Sequence, residues 1–455
     1  MPSERTFSLT EPVASLRDYL DGGGGEGLAT ALRGTPESVI DVIEAAGLRG
    51  RGGAGFPTAV KWRSIRSAGA STTYVVCNAA EGEPGTFKDR WILRRNPFQV
   101  LEGVAIAAVA TGAVRAFLVI KSAFEPEIAA VRAALTEMRA ADLLGGAQVS
   151  LVLGPDHYLL GEEKAMIEVV EGGEPLPRVF PPYQVGLFAR TGSANPTAMN
   201  NVETLAHVAA IMRHGAAWFR SYGTERSPGT TVFTLSGDVH RPGVAERPLG
   251  LSLRGLVEDV GGGAVNGQVK AVIPGASGAL LTAAQLDTPL DFDAMREAGS
   301  GLGSGGFVVY DDSACIVAAV LVFARFLAVE SCGQCPACKQ GTLSISGCLA
   351  RIEGGEGTAA DLATLAARCG TVTGGQRCAL PTGDALLVRS ALASFADEIE
   401  AHLGRACPLP RELLTPKITD YDETSRRFAY DERYQLKRPD WTYAQDVRPD
   451  EERSA

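Results

Sequence analysis

Cys332, Cys335 and Cys338 stand three residues apart in Glu330-Ser-Cys-Gly-Gln-Cys-Pro-Ala-Cys-Lys-Gln-Gly-Thr342, and a fourth thiol, Cys378, follows in Gly374-Gly-Gln-Arg-Cys-Ala-Leu380. Three thiolates at C-x2-C-x2-C spacing can converge on one small object. Four soft thiolates suit an iron–sulfur cluster or, less often, zinc. Bound thiolates must be deprotonated, and the local Gly and Pro let backbone amides point at sulfur. A pair of C-x2-C knuckles would favour zinc; three cysteines with a distant fourth favour iron–sulfur. Cys348, Cys369 and Cys407 compete with Cys378 for the fourth position, and the flanking Gly-Gly favours Cys378. Cys77 and Cys315 lie in apolar runs and read as core thiols.

Other stretches offer contacts rather than acid–base chemistry. Gly50-Arg-Gly-Gly-Ala-Gly55 matches G-x-G-x-x-G, a weak signal, and a helix rather than a strand is expected before it. It would let backbone approach a phosphate or a flat ring, with Phe56 for stacking and Lys61 for an anionic phosphate. The competing reading is a tight helix-to-strand turn. The acidic knot Glu81-Gly-Glu-Pro-Gly-Thr-Phe-Lys-Asp89 follows an expected strand end, where open α/β sheets bind ligands. A solvated turn would look the same. Gly161-Glu-Glu163 suits a helix start. Asn200-Asn201 offers mixed donors and acceptors, matched to an edge such as a flavin's, or else a pair of helix caps. With only five His, no Ser-His-Asp, Cys-His or HExxH arrangement exists. The absence suits hydride chemistry carried by a cofactor.

The elements that must position these groups alternate. Thr35-Pro-Glu-Ser-Val-Ile opens a helix. Tyr74 to Cys77, Ala116 to Ile120 and Val149 to Leu153 read as strands, with helices from Pro97 to Ala113 and Pro126 to Leu144 between them. That pattern predicts a largely parallel α/β sheet. Asn195-Pro-Thr-Ala-Met-Asn-Asn201 reads as a helix start. From Thr230 to Tyr310 short β-like runs (Val232 to Leu235, Val269 to Ile273, Phe307 to Tyr310) predict a small α+β unit. Ser313 to Leu403 is helical and encloses the cysteine motif. The tail from Cys407 is polar and aperiodic and predicts an extended arm packed on a partner.

Composition sets the outer bounds. The 455 residues, 45% hydrophobic and 21% charged, suffice for two to four domains. A formal net charge of −10 argues against a nucleic-acid or anionic-membrane binder. The start, Met1 to Ser8, lacks the apolar segment of a signal peptide. The apolar run Cys315 to Val329 is too short for the ~20 residues that cross a bilayer. Nine cysteines without a secretory signal favour a metal site in the reducing cytoplasm over a disulfide framework.

Taken together the motifs resemble one family. Gly47-Leu-Arg-Gly-Arg-Gly-Gly-Ala-Gly-Phe-Pro-Thr58, Glu81-Gly-Glu-Pro-Gly-Thr-Phe-Lys-Asp-Arg90, Gly161-Glu-Glu163, Asn200-Asn-Val-Glu-Thr204, Ala298-Gly-Ser-Gly-Leu-Gly-Ser-Gly305 and Glu330-Ser-Cys-Gly-Gln-Cys335 occur in order. The chain resembles the NADH-binding flavoprotein subunit of respiratory complex I and the diaphorase subunits of NAD-linked hydrogenases and formate dehydrogenases. The resemblance implies an α/β class: a Rossmann-like FMN-binding domain, a small ubiquitin-like (β-grasp) α+β domain, then a helical bundle with an iron–sulfur cluster. It divides the chain into an N-terminal helical segment (1–46), an FMN/NADH-binding domain (47–228), the ubiquitin-like domain (229–312), the 4Fe–4S domain (313–405) and a polar tail (406–455).

By the same resemblance, Gly50, Gly52, Gly53, Lys61, Asn78, Glu81, Gly161, Glu162, Asn200, Asn201 and Thr204 would line the FMN site. Phe56, Glu83, Tyr158, Glu163 and Tyr183 would line the NADH side, and Cys332, Cys335, Cys338 and Cys378 would hold the 4Fe–4S cluster. The implied activity is an NADH dehydrogenase: hydride from NADH to FMN, then single electrons to the cluster and on to a partner. Implied partners are a thioredoxin-like 2Fe–2S protein and further iron–sulfur carriers, with no nucleic acid and no membrane span in this chain. The chain departs from the family pattern at Ala80 (an Asp in the family), Phe180 (a Lys), Ser64 (an aromatic) and Lys339 (an Arg). The Asp missing at Ala80 would stand near the flavin, while Phe180 and Ser64 bear on the dinucleotide side. They leave open a flavin and iron–sulfur electron-transfer protein that does not use NADH, or a non-catalytic structural paralogue.

Overall fold

The structure, a computed structural model, describes residues 12–409 and 411–444. The polar start Met1 to Ser8 and the last stretch of the tail, 445–455, lie outside the described residues. Three strands fall where hydrophobicity puts them: β1 (Tyr74–Ala79), β2 (Arg115–Lys121) and β3 (Gln148–Gly154). A fourth, β4 (Thr197–Asn201), replaces the expected helix start. Its residues carry no β-branched run; pairing with β1 holds them extended, and the helix waits until Val202, with Asn201 as its cap. The sheet order is β3-β2-β1-β4, all parallel.

That order has a physical consequence. The chain runs outward from β1 through β2 to β3, then returns to β4 on the other side of β1. The crossovers therefore diverge between β1 and β4, and a crevice opens at their carboxyl ends. The register sets Asn78 beside Asn201 and Cys77 beside Asn200 at that edge. One face of the sheet is covered by the Pro97–Thr111 and Val202–His214 helices, both almost wholly buried. They approach closely at Gly103, where a Cβ would stand 1.9 Å from the Leu205 carbonyl oxygen.

A second, mixed sheet has the order β6-β5-β9-β7-β8 and its own apolar core. It comprises β5 (Thr230–Gly237), β6 (Gly243–Pro248), β7 (Val269–Ile273), β8 (Leu281–Thr282) and β9 (Gly306–Asp311). The helices Ile316–Glu330, Pro336–Glu353, Ala359–Thr371 and Leu380–Ser394 then pack around a third core. No helix among the described residues is long and apolar enough to cross a membrane.

The expected extended arm is in fact folded onto its own chain. It forms a hairpin, β10 (Ile418–Asp422) with β11 (Arg427–Tyr430), then a short 3-10 turn at Glu432–Leu436. Anchors spaced along it touch all three units. Gly85 donates to the Pro416 carbonyl at 2.7 Å, and Arg411 reaches Asp238 at 2.8 Å. Tyr434, fully buried, donates to Glu330 at 2.8 Å, and the Trp441 indole donates to the Val329 carbonyl at 2.9 Å. Such point anchors leave no periodic trace in sequence.

Candidate flavin and iron–sulfur site

The crevice at the β1–β4 switch point opens as a cleft between the first sheet, the second unit and the bundle. Gly52, Gly53, Asn78, Glu81, Glu83, Tyr158, Gly161, Glu162 and Asn201 line it, so nine of the residues singled out from sequence share one wall. The glycines matter because the floor is backbone. Gly53 has φ +132, and a Cβ on Gly52 would press to 3.2 Å from the Asn201 Cβ. The Gly-rich segment is a connection between helices, Pro36–Ala46 and Thr58–Ser67, rather than a helix-to-strand turn.

Each polar wall residue is oriented by a partner. Asn78 donates to the Gly161 carbonyl at 2.7 Å. Glu162 caps the Glu163–Val170 helix by accepting from the Lys164 and Ala165 amides. Glu81 accepts from the Asp89 amide at 3.0 Å and from Arg90 at 2.9 Å, so it holds the start of the Lys88–Arg95 helix against the cleft. Glu83 accepts from the Tyr158 hydroxyl at 2.8 Å and from the Ala276 amide at 2.6 Å, joining the first sheet's wall to the second unit. Burial raises the Glu83 carboxyl above its ordinary range, against the pull of the hydrogen bonds from Tyr158 and Ala276.

Four of the remaining residues stand one layer back. Lys61 pairs with Glu163 at 2.6 Å and donates to the Met199 carbonyl at 2.9 Å. The Asn200 side chain accepts from the Trp62 indole at 2.8 Å, and Thr204 accepts from the Arg51 amide at 2.9 Å. Gly50 donates to the Phe56 carbonyl at 2.9 Å. Phe56 and Tyr183 are half-exposed, at 51% and 45%, and neither forms the wall of the cleft.

Lys88 and Asp89 line the cleft although neither was singled out beyond the acidic knot. Lys88 is 1% exposed and reaches Asp89 at 2.7 Å, Glu203 at 2.9 Å and Asn201 at 3.1 Å. Burial opposes its charge, but Asp89 and Glu203 outweigh that and hold it protonated. Burial pushes Asp89 up to about 6 even so. A lysine inside an otherwise acidic stretch was the available signal.

A second, smaller cavity lies alongside, lined by Cys332, Cys335, Cys338 and Cys378. The structure brings these four thiols together and leaves Cys348, Cys369 and Cys407 elsewhere. Ser331 lies 3.3 Å from the Cys338 sulfur, and Lys339 braces the loop by donating to the Ser331 carbonyl at 2.7 Å and the Pro439 carbonyl at 2.6 Å. Burial pushes the Cys338 thiol up to about 11 and Cys378 up to about 12. Thiolates there need a positive centre in the cavity, which is what iron supplies. Leu159, Cys378 and Leu380 line both cavities, so a single layer of side chains separates them.

Comparison with known proteins places the chain in a family. Residues 43–210 match the Nuo51 FMN-binding domain family, and residues 318–402 match the iron–sulfur binding region of the NADH-ubiquinone oxidoreductase family. The chain is 43% identical to an NADH-quinone oxidoreductase subunit of Rhizobium meliloti (strain 1021), over 86% of this chain and 96% of that one. The chain belongs to this family. It is also 38% identical to an NADP-reducing hydrogenase subunit of Solidesulfovibrio fructosivorans, over 87% of this chain and 82% of that one. A crystal structure of an NAD+-reducing [NiFe]-hydrogenase in the H2-reduced state superposes with a TM-score of 0.77 and 38% identity, covering 86% of this chain and 67% of that one. FMN and a 4Fe–4S cluster are the cofactors of the family and NADH its substrate. The chain is an oxidoreductase subunit of the NADH dehydrogenase type. The two alternatives raised by Ala80, Phe180 and Ser64 are not favoured.

Proposed function

We propose that the larger cleft is where NADH meets FMN and that the Cys378 wall is where electrons leave it. One observation carries this reading: Cys378, Leu159 and Leu380 belong to both cavities at once. When bound, FMN takes the hydride of NADH as an electron pair and the 4Fe–4S cluster takes electrons singly.

The chain's own residues do the rest. Gly52 and Gly53 let a flat ring lie close to backbone. Asn78 and Asn201, side by side on β1 and β4, present polar edges to it. Lys88 stands beside the cleft with its charge already matched by Asp89 and Glu203, so it fixes the wall's geometry rather than adding net positive charge. Glu83 and Tyr158, locked together, close the wall on the side assigned to the nicotinamide. Lys61, Asn200, Thr204 and Gly50 orient that wall from behind. Phe56, Glu163 and Tyr183 complete the dinucleotide side from the half-exposed rim. Cys332, Cys335, Cys338 and Cys378 hold the cluster.

In this reading the first unit is a Rossmann-like domain (47–228), the second a ubiquitin-like domain (229–312) and the third the cluster-bearing bundle (313–405). Electrons pass to a thioredoxin-like 2Fe–2S protein and further iron–sulfur carriers, on the cytoplasmic side of any membrane arm. The deciding experiment is anaerobic addition of NADH to the flavin- and iron-loaded protein. Bleaching of the flavin is expected. Bleaching by a low-potential electron carrier but by neither NADH nor NADPH overturns the NADH assignment.

A further inference from the structure

At the far end of the bundle from the cysteine loop, four side chains from four parts of the chain meet. They are Cys315, Glu353, His402 and Cys407, whose ligand atoms all lie within 4.8 Å of one another. Cys315 caps the start of the Ile316–Glu330 helix, and Glu353 ends the Pro336–Glu353 helix. His402 follows the Ala396–Ala401 helix, and Cys407 stands where the C-terminal arm departs. Cys315 and His402 are each 1% exposed, and the other two are partly buried.

Three of the separations, those among Cys315, Glu353 and His402, match the edges of one face of a tetrahedron. With Zn–S near 2.3 Å and Zn–N or Zn–O near 2.0 Å, tetrahedral edges are roughly 3.3–3.8 Å. The Cys315 sulfur lies 3.3 Å from the His402 Nε2 and 3.3 Å from a Glu353 oxygen. His402 Nε2 lies 3.8 Å from the same Glu353 oxygen.

The surroundings position two of the ligands. His402 Nδ1 sits 2.7 Å from the Glu398 carbonyl, which accepts its proton and leaves the Nε2 lone pair facing the cluster. The Ala318 amide donates to the Cys315 sulfur at 3.4 Å and holds it at the start of the helix. A core thiol, the expectation for Cys315, explains neither the imidazole nor the carboxylate beside it. A disulfide would use only the two sulfurs.

We propose that Cys315, Glu353, His402 and Cys407 bind one zinc ion. It is distinct from the redox cluster and staples the base of the bundle to the root of the arm. Four closed protein ligands with no open position make it a structural site.

The test uses the full chain, purified with its flavin and iron–sulfur cluster. Metal analysis is expected to find one zinc per chain beside the cluster iron. Absorption at the zinc edge is expected to read two sulfurs and two nitrogen or oxygen neighbours. His402→Gln and Cys407→Ser should each lose the zinc and keep iron, flavin and NADH bleaching. The wild-type zinc-edge spectrum decides the matter even where a variant fails to fold. Zinc absent from the wild type, a four-sulfur shell (zinc in the redox site), iron in place of zinc, or a Cys315–Cys407 disulfide found by mass spectrometry would each overturn the proposal.

Discussion

Lys88 is the residue whose removal should cost most. Its ammonium is shared by Asp89 and Glu203, and Glu203 is fully buried. Lys88→Met leaves a carboxylate uncompensated in the core, and a loss of roughly 3–5 kcal/mol is expected, read by urea unfolding. Adding Glu203→Gln to that variant should recover much of it. Glu83 gives a pH-dependent test. Its carboxyl is raised in the folded protein by burial, so its stabilising contribution is full at low pH and is lost as pH rises through the raised value. Glu83→Gln holds that position neutral at all pH. The melting temperature of the variant relative to wild type should therefore climb over a window that opens at the ordinary glutamate value and runs upward from it. A constant difference would mean that Glu83 does not titrate in that window.

Among elements, the pairing of the Pro97–Thr111 and Val202–His214 helices depends on one missing Cβ. Gly103→Ala puts a methyl 1.9 Å from the Leu205 carbonyl oxygen, so the helices must part. About 1–3 kcal/mol of destabilisation is expected, despite the better helix propensity of alanine. The cysteine loop allows a cleaner separation. Cys378→Ser should lower bound iron while NADH still bleaches the flavin, and transfer onward to an external acceptor should fall. Loss of bleaching as well would place Cys378 in the flavin's own support. At this scale the sequence was uneven in what it disclosed. β1, β2 and β3 were readable because Val, Ile and Leu runs are local. β4 was not, since Thr-Ala-Met-Asn-Asn is extended only because β1 pairs with it. The cysteine loop was readable because its spacing is local, and nine wall residues were reached through motifs. Lys88 was passed over because a lysine is ordinarily solvated, and only Glu203, brought close by folding, shows otherwise. Cys315 and His402, 87 residues apart, could not be joined by any spacing rule.

Across the molecule, three units with separate cores are bound by the arm that follows them. Truncation after Leu409 would remove the Pro416, Tyr434 and Trp441 contacts together. Faster proteolysis between the units is expected, with the four-stranded and five-stranded sheets still formed, and limited trypsin digestion checks it. The arm also bears on Glu330, the residue that leads into the cysteine loop. Glu330 is 2% exposed and is satisfied by Tyr434 and by Lys437 at 2.7 Å, both from the arm. Those partners lie 104 and 107 residues further along the chain, so they are synthesised after the loop they brace. Until they arrive, Glu330 keeps the Tyr158 amide, at 3.1 Å, and the root of the cysteine loop is held from one side. Iron and sulfide are expected to enter the loop most readily in that interval, and faster cluster reconstitution in the chain truncated after Leu409 than in the full chain would show it.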